Sequence, residues 1–245
     1  MKRSIEQTTS PSKRQRPQKL RIGVLALQGA FREHCTMLEA CNGCGVEICA
    51  VEIRLVNDLQ NIDGLVIPGG ESTAIAKIAT RFGTATKGGE FDMFGALREW
   101  IKTEQKPVWG TCAGLIFMAK TIVDGAKIGG QPLIGGLDVD VSRNYFGKQI
   151  KSFEAEIQPP PGSVSSGSNG ESTSSGGDEL YTGIFIRAPA IMRTGKAVKT
   201  LSTIVSESGE EVVVAVEQGH LLATAFHPEL TDDTRWHDYF VRKCL

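Results

Sequence analysis

Short apolar runs of strand length alternate with helical stretches and end in glycine turns, and this alternation constrains the fold most. Residues 21–27 read as a buried strand, and the turn Gln28-Gly29 follows. Residues 30–40 then set Phe31, Met37 and Leu38 among charges in a helical pattern. The cycle repeats. A strand is expected at 46–51 and another at 64–67, which runs into Pro68-Gly69-Gly70. A helix opens at Ser72 or Thr73 and continues to Ile78. Residues 91–103 are helical, with Phe94, Leu97 and Ile101 on one face; 107–109 form a short strand, and 115–120 a helix. Strands apolar on both faces need cover on both sides, and strand–helix alternation builds parallel sheets. The expected fold is therefore α/β: a three-layer, mostly parallel, doubly wound sheet.

The second half differs. Residues 139–141, 153–157, 183–186, 190–193, 212–217 and 221–226 read as strands, and helix returns only at 232–241. A mixed or antiparallel extension of the parallel sheet is expected. Residues 159–178 are rich in Pro, Gly and Ser, with Val164 the one apolar side chain. Such a composition does not offset its ordering entropy, so a flexible insertion is expected within a single domain spanning 20–245. Residues 1–19 are expected to be a disordered basic tail. Its run Lys13-Arg14-Gln15-Arg16 reads either as a nuclear localisation signal or as solvated chain with no specific role.

Charge and cysteine usage exclude several classes. A net charge of −1 offers no electrostatic footprint for nucleic acid or a membrane surface. The apolar runs are far shorter than a membrane span. The polar, basic start carries no apolar segment behind it, which gives a cytoplasmic expectation, with nuclear access through the basic run. Six unevenly spread cysteines do not make a disulfide framework. Cys41-Asn-Gly-Cys44 is formally a C-x-x-C, but a second ligand pair at suitable spacing is lacking, so no metal is expected. The glycines there terminate a helix instead.

Three stretches can carry chemistry. Cys112 lies between a strand and a helix, flanked by Gly110 and Gly114. A strand-to-helix elbow projects a side chain, and a helix N-terminus favours a thiolate. A buried structural cysteine is the competing reading. His227-Pro228-Glu229 follows a strand. Residues two apart on an extended segment point the same way, so Glu229 is expected to orient His227 as a base for the sulfur. His34, His220 and His237 lack such a neighbour arrangement, although Glu33 adjoins His34. Pro68-Gly-Gly-Glu-Ser-Thr73 sits at the carboxyl end of a parallel strand, where α/β sheets bind ligands. Its backbone N–H groups suit either an oxyanion or a phosphate.

Together these stretches resemble the class I, triad glutamine amidotransferases, and within them the glutaminase subunit of pyridoxal 5′-phosphate synthase, the Pdx2/SNO family. The resemblance is carried by Leu25-Ala-Leu-Gln-Gly-Ala30 with Arg32-Glu-His34, by Pro68–Thr73, and by Trp109-Gly-Thr-Cys-Ala-Gly-Leu-Ile116. Arg143-Asn-Tyr-Phe-Gly-Lys-Gln149, Gly183-Ile-Phe-Ile-Arg-Ala-Pro189 and Phe226-His-Pro-Glu-Leu230 complete it, in family order. It implies that Cys112 attacks the glutamine amide, that His227 moves the proton and that Glu229 holds His227. It implies an oxyanion hole from the backbone of Gly69, Gly70 and Ala113. Gly70, Glu71, Ser72, Arg143, Ile186 and Arg187 match glutamine contacts, and Gln28 a coupling to partner docking. The implied partner is a pyridoxal 5′-phosphate synthase subunit, a Pdx1/SNZ-type barrel that receives the ammonia in a hetero-oligomeric complex for vitamin B6 biosynthesis. No bound cofactor and no metal are implied. A glutaminase serving another synthase and a non-catalytic regulatory homologue remain the alternatives. The tail, a lengthened segment at 83–90 and the 159–178 insertion depart from the pattern.

Overall fold

The computed structural model describes residues 19–41, 45–81, 84–86, 89–124, 130–143, 145–146, 152–163, 179–206 and 208–245. The first half runs β1 Lys19–Leu25, α1 Phe31–Ala40, β2 Glu47–Ile53, β3 Gly64–Ile67 and α2 Ser72–Arg81. A short antiparallel pair follows, β4 Thr84–Thr86 and β5 Gly89–Phe91, then α3 Met93–Glu104, β6 Val108–Thr111 and α4 Ala113–Met118. The second half is β7 Ala119–Asp124, β8 Leu137–Ser142, β9 Ser152–Ile157, β10 Tyr181–Ile186 and β11 Ala190–Thr194. It ends with β12 Lys199–Val205, β13 Glu211–Gln218, β14 Leu221–Thr224 and α5 Arg235–Lys243.

Among the described residues, the main sheet has the order β2-β1-β3-β6-β14-β13-β11-β8-β7, with β12 paired to β13 off that row. From β2 through β14 all pairings are parallel. β13 pairs antiparallel with both β14 and β11, and β11 antiparallel with β8; parallel pairing returns only at β8–β7. The expected parallel half with a mixed extension is thus what the chain forms. Its central strands β3, β6 and β14 are buried at every residue, which is why they read as unbroken apolar runs.

The helices cover this sheet through apolar stripes. α3 buries Met93, Phe94, Leu97, Trp100 and Ile101, and Asp92 caps it by accepting the Gly95 N–H at 2.5 Å. α5 buries Trp236, His237, Phe240 and Val241. Two glycines set close approaches near the carboxyl ends of the strands. Gly29 has φ +97°, and a Cβ on it would lie 1.9 Å from the Gly69 carbonyl oxygen, so the turns after β1 and β3 touch. Gly114 likewise lets α4 press on β3: a Cβ there would lie 1.9 Å from the Ile67 oxygen.

The structure departs from expectation in several elements. The helix expected at 115–120 ends at Met118, and Ala119 turns into β7, where Thr121, Ile122 and Val123 favour extended backbone. Strand β12 adds to the expected set, and buried Ser202 and Ile204 mark its inward face. β9 and β10 form an antiparallel pair of their own, with Ile157 opposite Tyr181. The insertion therefore connects two paired strands. Of the segments expected to be unstructured, 1–18 and 164–178 lie outside the described residues, as does Cys44. Cys41 Sγ, just past the end of α1, meets the Met37 carbonyl oxygen of that helix at 3.3 Å. Among the described residues, no helix is long and apolar enough to cross a membrane.

Candidate active site

Three neighbouring parallel strands deliver the site at their carboxyl ends. β3 leads into Gly69-Gly70, β6 into Cys112, and β14, through Ala225-Phe226, into His227. Cys112 adopts φ 47° and ψ −98°, a conformation costly for an L residue. Its N–H donates to the Thr224 carbonyl of β14 at 2.8 Å, and its carbonyl accepts from Ile116 at 3.3 Å. The bend turns the thiol into a cavity of about 410 Å³. Sγ lies 3.9 Å from the Ile186 carbonyl oxygen.

That cavity gathers most of the residues singled out from sequence. Gly70, Glu71 and Ser72 form one wall; Ile186 and Arg187 another; Cys112, Ala113 and His227 line it too, with Arg143 beside Ser72. Arg187 has φ 45°, so two strained non-glycine residues border the same space. Arg143 donates through Nη2 to Ser72 Oγ at 2.5 Å, while its Nη1 is buried and has no partner among the described residues. A guanidinium with one arm fixed and one unpaired arm at a cavity is arranged for an anionic group. Phe146 packs edge-on against Phe153 and Phe185, which ties this segment to the β9–β10 pair.

His227 is 7% exposed and Glu229 5%. His227 Nδ1 lies 2.7 Å from Glu229 Oε1, which leaves Nε2 for the sulfur. The alternation argument does not explain this pairing, because Pro228–Leu230 is a 3₁₀ turn rather than strand. The turn brings the carboxylate back to its own ring. Burial works against a charge on His227, but the adjoining Cys112 sulfur and Glu229 carboxylate outweigh it and push the pKa up to about 10. Burial also opposes the charge on Glu229, and the histidines on either side, His34 and His227, lower its pKa nonetheless.

The turn residues divide their work. Gln28 Oε1 accepts the Glu71 N–H at 2.9 Å, which pins the turn after β3 to the turn after β1. The Glu71 carboxylate accepts from the N–H groups of Thr73 (3.0 Å) and Ala74 (2.7 Å), so it caps α2 while its residue lines the cavity. Gly69 is engaged elsewhere in this arrangement. Its N–H donates to Thr111 Oγ1 at 3.0 Å, so in this arrangement Gly70 and Ala113 are the turn and elbow residues that face the cavity. As the first residue of α4, Ala113 has an N–H that no helical carbonyl reaches.

Sequence reasoning passed over Thr111, His34 and His237. His34, 0% exposed, places Nε2 3.1 Å from Thr111 Oγ1 and 3.2 Å from Glu229 Oε2; its Nδ1 lies 3.0 Å from His237 Nε2. The signal was present: His34 and Thr111 both fall inside the resembling stretches.

A mainly parallel sheet with this elbow at its centre is the fold of the class I glutamine amidotransferases. A solved structure described as a glutamine amidotransferase superposes with a TM-score of 0.70 at 37% identity, covering 91% of this chain and 98% of that one. More narrowly, the chain belongs to the SNO glutamine amidotransferase family, whose pattern matches residues 24–245. It is 47% identical over 240 residues to an Arabidopsis thaliana protein named "Probable pyridoxal 5′-phosphate synthase subunit PDX2", covering 90% of this chain and 84% of the relative. It is 41% identical to the pyridoxal 5′-phosphate synthase subunit PdxT of Herpetosiphon aurantiacus, covering 90% of this chain and 98% of that protein.

Proposed function

We propose that this chain, as one glutaminase domain, hydrolyses L-glutamine to L-glutamate and ammonia, and hands the ammonia to a Pdx1/SNZ-type pyridoxal 5′-phosphate synthase subunit. One observation carries the reading. A single cavity holds the Cys112 thiol beside the His227–Glu229 pair and, across from it, the unpaired Nη1 of Arg143.

In this mechanism Arg143 grips the substrate α-carboxylate, and Ser72 fixes the guanidinium plane. The wall at Ile186 and Arg187 confines the substrate's length. The side-chain amide then lies over Cys112. The thiolate adds to the amide carbon, and the oxyanion is met by the N–H groups of Gly70 and Ala113. The imidazolium of His227 gives its proton to the nitrogen, the C–N bond breaks, and ammonia leaves a γ-glutamyl thioester. Water then attacks the thioester while His227 takes its proton. The C–S bond breaks, releasing glutamate and restoring the thiolate–imidazolium pair. Glu229 keeps Nδ1 protonated throughout. Gln28 transmits docking of the synthase to the Gly69–Glu71 turn. A cytoplasmic setting suits this chemistry, since the nucleophile must stay reduced.

Glutamate release is measured for this chain alone and with a pyridoxal 5′-phosphate synthase subunit. Hydrolysis stimulated by the synthase and abolished by Cys112→Ala is expected. Undiminished, synthase-stimulated hydrolysis by Cys112→Ala defeats the mechanism. Stimulation by a different synthase alone defeats the assignment of partner.

A further inference from the structure

Beneath the proposed triad lies a polar cluster that the hydrolytic steps do not use. His34 on α1, Thr111 at the end of β6 and His237 on α5 are each 0% exposed. Trp109 walls them in, its ring edge-on to both imidazoles at centroid distances of 5.6 and 5.0 Å. Polar groups so deep are costly unless each serves a partner. Here the partners are the two halves of the catalytic apparatus. His34 Nε2 is hydrogen-bonded to Thr111 Oγ1 at 3.1 Å and lies 3.2 Å from Glu229 Oε2, an electrostatic contact to an oxygen that has no hydrogen bond of its own among the described residues; Thr111 Oγ1 in turn accepts the Gly69 N–H at 3.0 Å.

The proton pattern follows from these contacts. Glu229 is ionised and only accepts, so Nε2 of His34 must carry the hydrogen; a bare Nε2 would set its lone pair against the carboxylate. Nδ1 then accepts from His237 Nε2–H at 3.0 Å. His237 Nδ1 ends this hydrogen-bonded series and is buried without a partner among the described residues. Burial pushes both histidines below their ordinary values, which agrees with two neutral rings.

We propose that His34 is a positioning residue for glutamine hydrolysis, holding the Glu229 carboxylate directly and the Gly69-Gly70 turn through Thr111, with His237 as its backstop. One imidazole thereby keeps the base-orienting group and the oxyanion turn in register, although they stand 160 residues apart in sequence, from Gly69 to Glu229. The inference rests on the glutaminase reading above.

Two substitutions at His34 separate positioning from packing. A glutamine side chain carries an amide N–H as far as Nε2 and keeps the donor facing Glu229 and Thr111. An asparagine reaches only as far as Nδ1 and keeps the His237 side alone. Steady-state glutamate release is measured on the complex with the synthase subunit for wild type, His34→Gln, His34→Asn and Thr111→Val, with unfolding temperatures alongside. His34→Gln is expected to stay within about threefold of wild-type kcat, while His34→Asn and Thr111→Val lose about 10- to 100-fold in kcat with KM changed less than about threefold. Their double variant is expected to lose much less than the product of the two losses. If His34→Asn does not fold, the contrast of His34→Gln with Thr111→Val decides. Wild-type kcat in His34→Asn and Thr111→Val, or equal losses in the Gln and Asn variants, overturns the positioning role alone. A wild-type complex that hydrolyses no glutamine overturns the function, and this inference with it.

Discussion

Gly69→Ala tests the geometry of the site with a single methyl group. A Cβ built on Gly69 lies 2.4 Å from Cε1 of His227, 3.0 Å from its Nδ1 and 3.2 Å from Cβ of Cys112. An ordinary carbon–carbon contact starts at about 3.5 Å, so the ring must withdraw by about 1 Å. It cannot do so freely, because its Nδ1 is held at 2.7 Å by Glu229 and its backbone N–H by the Ile184 carbonyl at 2.8 Å. The backbone of Gly69 is outside the left-handed region, so alanine is unstrained there and the effect is steric. A displacement of about 1 Å at the reacting groups costs about 100-fold in rate, equivalent to about 2.7 kcal/mol in the barrier. Stability should fall by about 1–3 kcal/mol from overpacking. The assay is kcat for glutamate release by the complex, with thermal unfolding as control. A folded Gly69→Ala variant with wild-type kcat refutes the proposed contact between this turn, the base and the nucleophile.

Other changes follow from the same distances. Arg143→Ala removes the charged donor pair proposed for the α-carboxylate and should raise KM for glutamine about 10- to 100-fold, seen in initial-rate kinetics; an unchanged KM removes Arg143 from substrate binding. His227 has a folded pKa of about 10 against an ordinary 6.5. Its raised value means that its stabilising contribution is whole below pH 6.5 and is lost as pH rises through about 10. The stability gap between wild type and His227→Gln should therefore narrow over that window in denaturant titrations. Glu229→Gln removes one of the two negative neighbours of His227 and should move the alkaline limb of kcat/KM down by about 1–3 pH units; an unmoved limb contradicts the pairing. Replacing residues 160–178 by a short turn should leave cooperative unfolding and kcat within about twofold of wild type, because β9 and β10 already pair at Ile157 and Tyr181. Loss of soluble protein on that deletion would assign the insertion a structural role.

The parallel half of the fold was legible because β3, β6 and β14 are buried on both faces and must be apolar throughout. β12 was not, since Lys199-Thr-Leu-Ser-Thr-Ile-Val205 is half polar and its inward face includes a serine. β7 was hidden by the apolar end of α4, where Met118 and Ala119 continue a helical pattern until the backbone turns extended. Cys112, His227 and the glycine turn stood out because elbows, capping turns and His-Pro-Glu have local signatures. The engagement of Gly69 was hidden for lack of one contact: nothing in a Gly-Gly sequence says that a threonine 42 residues on takes the first N–H. His34 falls inside a resembling stretch, but its contacts were hidden for the same reason. Its partners come from β6, the turn after β14 and α5, and no spacing rule links α1 to all three.

The sheet order carries a consequence for how the molecule comes into being. β14 is hydrogen-bonded to β6 on one side and to β13 on the other, so among the described strands it welds the parallel half to the antiparallel half. Its four residues precede the proposed base by three positions and are the last strand to be made. A growing chain synthesised from its N-terminus therefore exposes two open sheet edges and a thiol without its base until residue 227 has emerged. The strand that closes the seam also leads into the proposed base, so a half-made chain lacks both the closed sheet and the proposed site.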